Sequence, residues 1–205
     1  MVVRKSAEIR KAEIVCATLK LADELGPDRL TTQAVAKAVG LTQPGIFRHF
    51  PTKQDLWLAV AMHITAKMTA AWENVLAAEL EPRFRIKSLI LVQLNQISEN
   101  PAIPMILHSR ELRSENVQMR AQFKFLMTRF QTMLEEAFAE GRARGDFRDD
   151  LAPQDSAVLM ISMVQGLAVR WSLGQRAYSL ETEGARLLAC QIGLFQVPSQ
   201  WERNL

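Results

Sequence analysis

Thr31-Thr-Gln-Ala-Val-Ala-Lys-Ala-Val-Gly-Leu-Thr-Gln-Pro-Gly-Ile-Phe-Arg-His-Phe50 holds two short helical patterns around a single glycine. Thr31 is a good N-cap, because its hydroxyl accepts from a helix amide that would otherwise have no partner. Val35, Ala36 and Val39 then recur at helical spacing. Gly40 ends the pattern, as glycine does where a chain must turn left-handed. Thr42 caps a second segment. Pro44 is harmless in its first turn, where the missing N–H would be unpaired anyway. Val35, Val39, Leu41 and Ile46 face a common core, and Ala36 is small where the two helices cross. This is helix-turn-helix spacing, whose second helix enters the DNA major groove. Turn, small residue and apolar positions together argue against an unrelated αα-hairpin.

Outward from this stretch the helical period continues in both directions, and no alternating strand pattern persists. Upstream, Ile9, Ile14, Ala17, Leu21 and Leu25 form one face of a helix over about Ser6 to Leu25, stopped by Gly26-Pro27. Downstream, Phe50 belongs to the core and Pro51 breaks the chain. Thr52-Lys-Gln-Asp55 resembles a capping box with Asp in place of Glu, and Pro51 with Leu56 supplies a hydrophobic staple. A fourth helix then runs to about Leu80 before Pro82. Five more follow: about Arg83 to Ser98, a short one after Asn100-Pro101, Glu115 to Ala143, Pro153 to Leu173, and Ser179 to a stop before Pro198. The fold class is all-α with about nine helices. Short helices give way to long ones near Thr52 to Asp55, so the expected division is a helix-turn-helix domain at 1–54 and a helical domain at 55–205.

The 205 residues carry a formal net charge of +3 and are 48% hydrophobic, a composition that excludes bulk disorder. Nine lysines and arginines face five acids up to Gln54, while the remainder carries 16 against 17. The positive excess thus belongs to the quarter that would meet a polyanion. Cys16 and Cys190 sit alone in apolar helical patterns and read as buried reduced thiols. No metal-ligand spacing, nucleophile–base pair or phosphate loop is present, so no catalytic residue, metal or cofactor is expected. The N-terminus lacks a signal-peptide core and no segment approaches about 20 uninterrupted apolar residues. The expected location is the cytoplasm, with no membrane partner.

Gly40-Leu-Thr-Gln-Pro-Gly-Ile-Phe-Arg-His-Phe-Pro-Thr-Lys-Gln-Asp-Leu56 resembles the signature of the TetR family of bacterial transcriptional regulators, with the likeness strongest over Ile14 to Trp57. Gln165-Gly-Leu-Ala-Val-Arg-Trp-Ser-Leu173 is similar to the dimerising eighth helix of many members. The resemblance implies a two-fold homodimer, an N-terminal DNA-binding domain and a C-terminal ligand-binding domain. It implies a repressor of a palindromic operator, released when a small apolar or amphipathic effector pivots the fourth helix.

On this reading Thr42, Gln43, Pro44 and Gly45 form the leading edge of the recognition helix. The Gln43 amide suits bidentate pairing with adenine. Gly45 allows close backbone approach. Thr31, Thr32, Arg48, His49 and Lys53 are phosphate contacts, which position the protein without encoding sequence. The amides opening the fourth helix add a phosphate site. Phe47 stands where the family often has Tyr and lacks its phosphate-touching hydroxyl, so it is assigned to groove or core packing.

In the larger domain, Met68, Trp72, Met105, Phe123, Met127 and Phe130 are candidates to line an effector pocket, with His108 and Gln165 at its polar edge. Core packing is the bland reading for any one of them. Val158, Ile161, Gly166, Leu188, Ile192 and Phe195 are candidates for a dimer interface built from the last two helices, burial within one chain being the alternative. A regulator with no small-molecule effector, controlled by a protein partner, competes with the effector reading. A helical enzyme or lipid-binding module is the remote third.

Overall fold

Ser6, Thr31, Thr42 and Ser179 each stand just before a helix and accept a backbone N–H three residues on. The computed structural model, which describes residues 6–110 and 115–197, therefore starts these four helices with hydroxyl caps, as Thr52 starts a fifth. Nine α-helices are present among the described residues: α1 (Ala7–Leu25), α2 (Thr32–Ala38), α3 (Gln43–Phe47), α4 (Lys53–Leu76), α5 (Pro82–Glu99), α6 (Ala102–Leu107), α7 (Val117–Ala143), α8 (Pro153–Leu173) and α9 (Leu180–Phe195). A single 3-10 turn, Pro27–Arg29, links α1 to α2. The all-α expectation holds. The fourth helix stops at Leu76, short of the expected Leu80, and the backbone turns at Glu79 with φ 47°.

The chain divides into two compact units, Met1–Lys67 with Asn100–Phe125, and Met68–Glu99 with Leu126–Leu205. This differs from a boundary at residue 54: α4 and α7 each begin in the first unit and end in the second.

In the first unit, α1 packs on α2 and α6, and α2 packs on α3. The buried face of α1 is Ile14, Val15, Thr18, Leu19 and Ala22, and the Thr18 hydroxyl donates to the Ile14 carbonyl at 2.8 Å. That corrects the expected face, because Ile9 and Leu25 are exposed and Ala17 and Leu21 only half-buried. The helix is apolar on more than one side, so period alone could not choose the stripe that meets the core. Cys16 falls outside that stripe and is exposed, as is Cys190 on α9, against the expectation of two buried thiols. Two tertiary hydrogen bonds lock the rest of this unit. The Asp28 carboxylate accepts from the Arg110 amide at 3.0 Å. Asn116 donates to the Gln54 carbonyl at 2.8 Å and accepts from the Met119 amide at 2.9 Å, which caps α7 against the start of α4.

In the second unit, α5 packs on α8 and α9, and α8 on α9. The α7–α8 connection is held by aromatic packing: Phe138 lies 5.0 Å from the Phe147 ring and meets Phe195 edge-on at 5.6 Å. The Arg148 amide donates to the Phe195 carbonyl at 2.9 Å. Gly141 makes room for this cluster, since a Cβ there would lie 2.5 Å from the Phe147 ring. A ring pinned by Phe138 cannot withdraw. Gly141→Ala should therefore destabilise the protein by about 1–3 kcal/mol, the usual cost of overpacking, read as a lowered midpoint in urea unfolding; an unchanged midpoint would show that the ring yields.

Candidate nucleic-acid interface

The turn between α2 and α3 is set by backbone hydrogen bonds. The Leu41 amide donates to the Ala36 carbonyl at 2.8 Å and the Gly40 amide to Lys37 at 3.3 Å. These are the two bonds of a Schellman motif, which needs a left-handed residue at the position Gly40 holds. Gly40 has φ 67°, a region costly for residues bearing a Cβ. On the far side Thr42 caps α3 by accepting from the Gly45 amide at 3.3 Å. Val35, Ala36 and Ile46 are buried beneath the turn, while Val39 and Leu41 are exposed or half-buried at its rim.

The third helix is shorter than expected. It ends at Phe47, and the Ile46 carbonyl accepts from both His49 and Phe50 at 2.9 Å. Pro51 prevents the helix from continuing past Phe50, because a residue before proline is driven out of helical conformation. Thr42, Gln43, Pro44 and Arg48 are exposed, and His49 is half-buried. Phe47 is 38% exposed and Phe50 is 6% exposed, so Phe50 is core and Phe47 lies on the presented side. Gly45 has no positive φ, and a Cβ there would rest 3.4 Å from the Thr42 hydroxyl oxygen. The fold does not demand glycine at that position.

Thr31 is exposed, whereas Thr32 is only 7% exposed. The Thr32 hydroxyl accepts from Gln43 Nε2 at 2.8 Å. The hydroxyl expected to meet a phosphate is thus also engaged with another side chain. Sequence alone could not reveal the bond, because the two residues sit on different helices.

The start of α4 forms the expected capping box. The Thr52 amide donates to the Asp55 carboxylate at 3.0 Å, and the Asp55 amide donates to the Thr52 hydroxyl at 3.1 Å. The staple is different, because Leu56 is fully buried but Pro51 is exposed. Half-buried Lys53 follows the cap. The box occupies two of the amides expected to meet phosphate, and Asp55 adds a carboxylate beside them.

The effector candidates separate. Met105, His108 and Phe123 belong to the first unit, and Met68, Trp72, Met127, Phe130 and Gln165 to the second. Met127, Gln165 and His108 are exposed, and Met105 is half-buried. In the second unit Met68, Trp72 and Phe130 are buried, with Trp72 and Phe130 stacked at 4.9 Å. Gln93, which sequence reading missed, accepts from Trp72 Nε1 at 3.2 Å and donates to Met68 Sδ at 3.9 Å. Its signal was a lone amide inside the apolar run Leu89-Ile-Leu-Val-Gln-Leu94. The Thr69 hydroxyl is buried and makes no hydrogen bond among the described residues.

The last two helices divide by face. Leu188, Ile192 and Phe195 are buried in their own chain, which corrects their assignment to an interface. Val158 is exposed, Ile161 half-buried, and Gly166 faces open space. Leu159, Leu173 and Leu194 are exposed with them, the last two at 80% and 70%, and Gly193 also faces open space. By length and hydropathy α8 passes as a membrane span. Its buried stripe of Met160, Val164, Leu167 and Trp171 instead belongs to a helix packed on α5 and α9.

Comparison with known proteins agrees with this architecture. The profile described as "Bacterial regulatory proteins, tetR family" matches residues 14–60, and "YsiA-like protein, C-terminal region" matches residues 62–190. The nucleoid occlusion factor SlmA of Marinobacter nauticus is 25% identical over 79% of this chain and 83% of its own. That of Edwardsiella ictaluri is 24% identical over 89% and 94%. The ketosteroid transcriptional regulator KstR2 of Mycobacterium tuberculosis superposes with a TM-score of 0.78 at 17% identity, covering 92% of this chain and 96% of that one. FadR from Bacillus subtilis, in complex with stearoyl-CoA, gives 0.72 at 16%, covering 88% and 97%. With a helix-turn-helix whose reading helix presents Thr42, Gln43 and Arg48, and profiles that together span most of its length, the chain belongs to the TetR family of bacterial regulatory proteins and is a DNA-binding transcriptional regulator.

Proposed function

We propose that this regulator is a homodimeric repressor of a palindromic operator, released by an amphipathic small molecule. The exposed edge Thr42-Gln-Pro44, held by a hydrogen-bonded turn, carries the DNA part of the reading. Gln43 contacts a base edge; Thr31, Arg48, His49 and Lys53 meet phosphates; Phe47 packs against the groove wall. Two reading helices enter successive major grooves when they lie about 34 Å apart. Such a protein works in the cytoplasm, where the DNA is.

The outward stripe of Val158, Gly166 and Leu173 on α8, with Gly193 and Leu194 on α9, supports the dimer. Glycine inside a helix costs about 1 kcal/mol against alanine, and close approach of a partner helix offsets that. An isologous interface of two such pairs is a four-helix contact.

The effector reading rests on Thr69, next to Met68 in the sequence, whose buried hydroxyl makes no hydrogen bond among the described residues. Such a group costs stability until something bonds to it. An apolar ligand with an oxygen function suits that place, and the likeness to a FadR solved with stearoyl-CoA makes acyl thioesters the first class to try. Because α4 is one continuous helix from Lys53 to Leu76, a ligand at Met68 to Trp72 touches the helix that begins at the DNA-facing turn. It acts only by preferring the conformation that does not bind DNA. The likeness to nucleoid occlusion factors favours a second reading, in which a protein partner replaces the small molecule.

Sequencing of genomic fragments captured by the purified protein should return an inverted repeat; enrichment without sequence preference would refute the operator. On that operator, Lys53→Ala should weaken binding to all sequences and lower the salt slope by roughly one for each phosphate no longer neutralised. An unaltered slope removes Lys53 from the phosphate set. Leu194→Asp should convert the dimer to monomer in sedimentation equilibrium while leaving the helical circular dichroism unchanged; a dimeric variant would disprove the interface. Stearoyl-CoA should raise the melting temperature and release operator DNA, with Thr69→Val reducing both. No shift with any acyl thioester or steroid would favour the protein-partner reading.

A further inference from the structure

We infer that Phe47 is a specificity-determining residue, whose ring selects a thymine in each half-site by packing on the C5-methyl group in the major groove. The inference rests on α3 lying in that groove, the reading proposed above, and deepens it by naming the base that the ring meets.

Residues three and four apart are neighbours on a helix surface. Phe47 therefore lies between Gln43, four residues before it, and Pro44, three before it, on one face of α3. All three are exposed, Phe47 by 38%. At about 3.6 residues per turn the opposite side of α3 falls between Gly45, which is half-buried, and Ile46, which is buried. Phe47 thus stands at the middle of the presented face. Phe50, three residues on, is 6% exposed and belongs to the core.

The Phe47 ring has no hydrogen-bond donor or acceptor. In the major groove guanine offers N7 and O6, adenine N7 and an amino group, and cytosine an amino group, whereas thymine offers O4 and a methyl group. A phenyl ring set against a polar edge strips water from it and returns no hydrogen bond, which costs binding energy. Set against the methyl group, the ring removes apolar surface of both partners from water. It therefore favours thymine over the three bases that lack the methyl. Gln43 and Phe47 are about 5–6 Å apart at Cβ, as residues one turn apart are. Base pairs follow one another at about 3.4 Å, so the thymine lies within about two base pairs of the one that Gln43 faces. 5-Methylcytosine carries the same methyl group, which separates reading of the methyl from reading of the pairing edge.

Selection from a random-sequence duplex library should return an inverted repeat with thymine at one symmetric position of each half-site. Deoxyuridine in place of that thymine lacks only the methyl. Such duplexes should bind roughly fourfold more weakly for each half-site changed, the worth of one buried methylene. Cytosine at the same position should gain a similar factor when 5-methylated. Phe47→Ala should bind the thymine and deoxyuridine duplexes equally, while Phe47→Leu, which keeps an apolar side chain, should still prefer thymine. A wild-type protein indifferent to deoxyuridine at every thymine of the half-site overturns the inference. So does a Phe47→Ala protein that discriminates as wild type does, or that loses affinity for both duplexes by the same factor. Should Phe47→Ala melt below the assay temperature, Phe47→Gln, which fills the place with a polar chain, carries the same expectation. If the selection returns no sequence preference, the groove reading falls first and takes the inference with it; an inverted repeat without a methyl effect removes the inference alone.

Discussion

The left-handed turn at Gly40 is the constraint on which the DNA-facing half of this protein depends. Two backbone hydrogen bonds close it, from Leu41 to Ala36 and from Gly40 to Lys37. They fix the angle at which α3 leaves α2. A five-residue helix is far below the length at which a helix stands alone in water. Its shape is therefore imposed from outside: by the turn before it, by the Thr42 cap at its start and by Ile46 buried beneath it. Pro51 removes any chance of elongation. The result is a short rigid reader whose polar side chains are free to face a groove.

The same economy shapes its chemistry. Hydroxyls that cap helices are committed to backbone, and carboxylates that close a capping box are committed to their own turn. Thr42 and Asp55 both occur in the DNA-facing stretch, yet each has a structural bond to keep. In the proposed DNA contact the Gln43 amide faces a base edge, and Thr31, Arg48, His49 and Lys53 meet phosphates. Cations supply affinity without sequence, and the amide supplies sequence without much affinity. The Thr32–Gln43 bond ties that amide to a residue of the packed interior.

The second unit shows how one pair of apolar helices serves two surfaces. On α9, Leu188, Ile192 and Phe195 close the chain's own core, while Gly193 and Leu194 look outward from the same turns. On α8, Met160, Val164 and Trp171 point inward, and Val158, Leu159 and Leu173 outward. A helix apolar on both sides needs a second surface to cover it, and in the proposed dimer a second copy supplies that cover with its own outward stripe.

Much of this is legible in the chain. Capping hydroxyls, glycine and proline are local signals, so helix ends, the turn at Gly40 and the capping box at Thr52 follow from neighbouring residues. Periodicity says which side chains share a face, but not which face meets the core. Ile9, Leu25, Cys16 and Cys190 escape a reading by period because their helices offer more than one apolar stripe, and Leu188, Ile192 and Phe195 escape it for the same reason. Met127 and Gln165 are exposed because packing sets the orientation of their helices. Gln93 and the Thr32–Gln43 bond lie beyond local reading altogether, since each joins residues on separate helices. Sequence by itself determined the helices, their capping residues and the family they build, because those depend on contacts a few residues apart. Only the tertiary structure decided which side of each helix is interior and which polar groups find one another, because burial is a property of the whole packed chain.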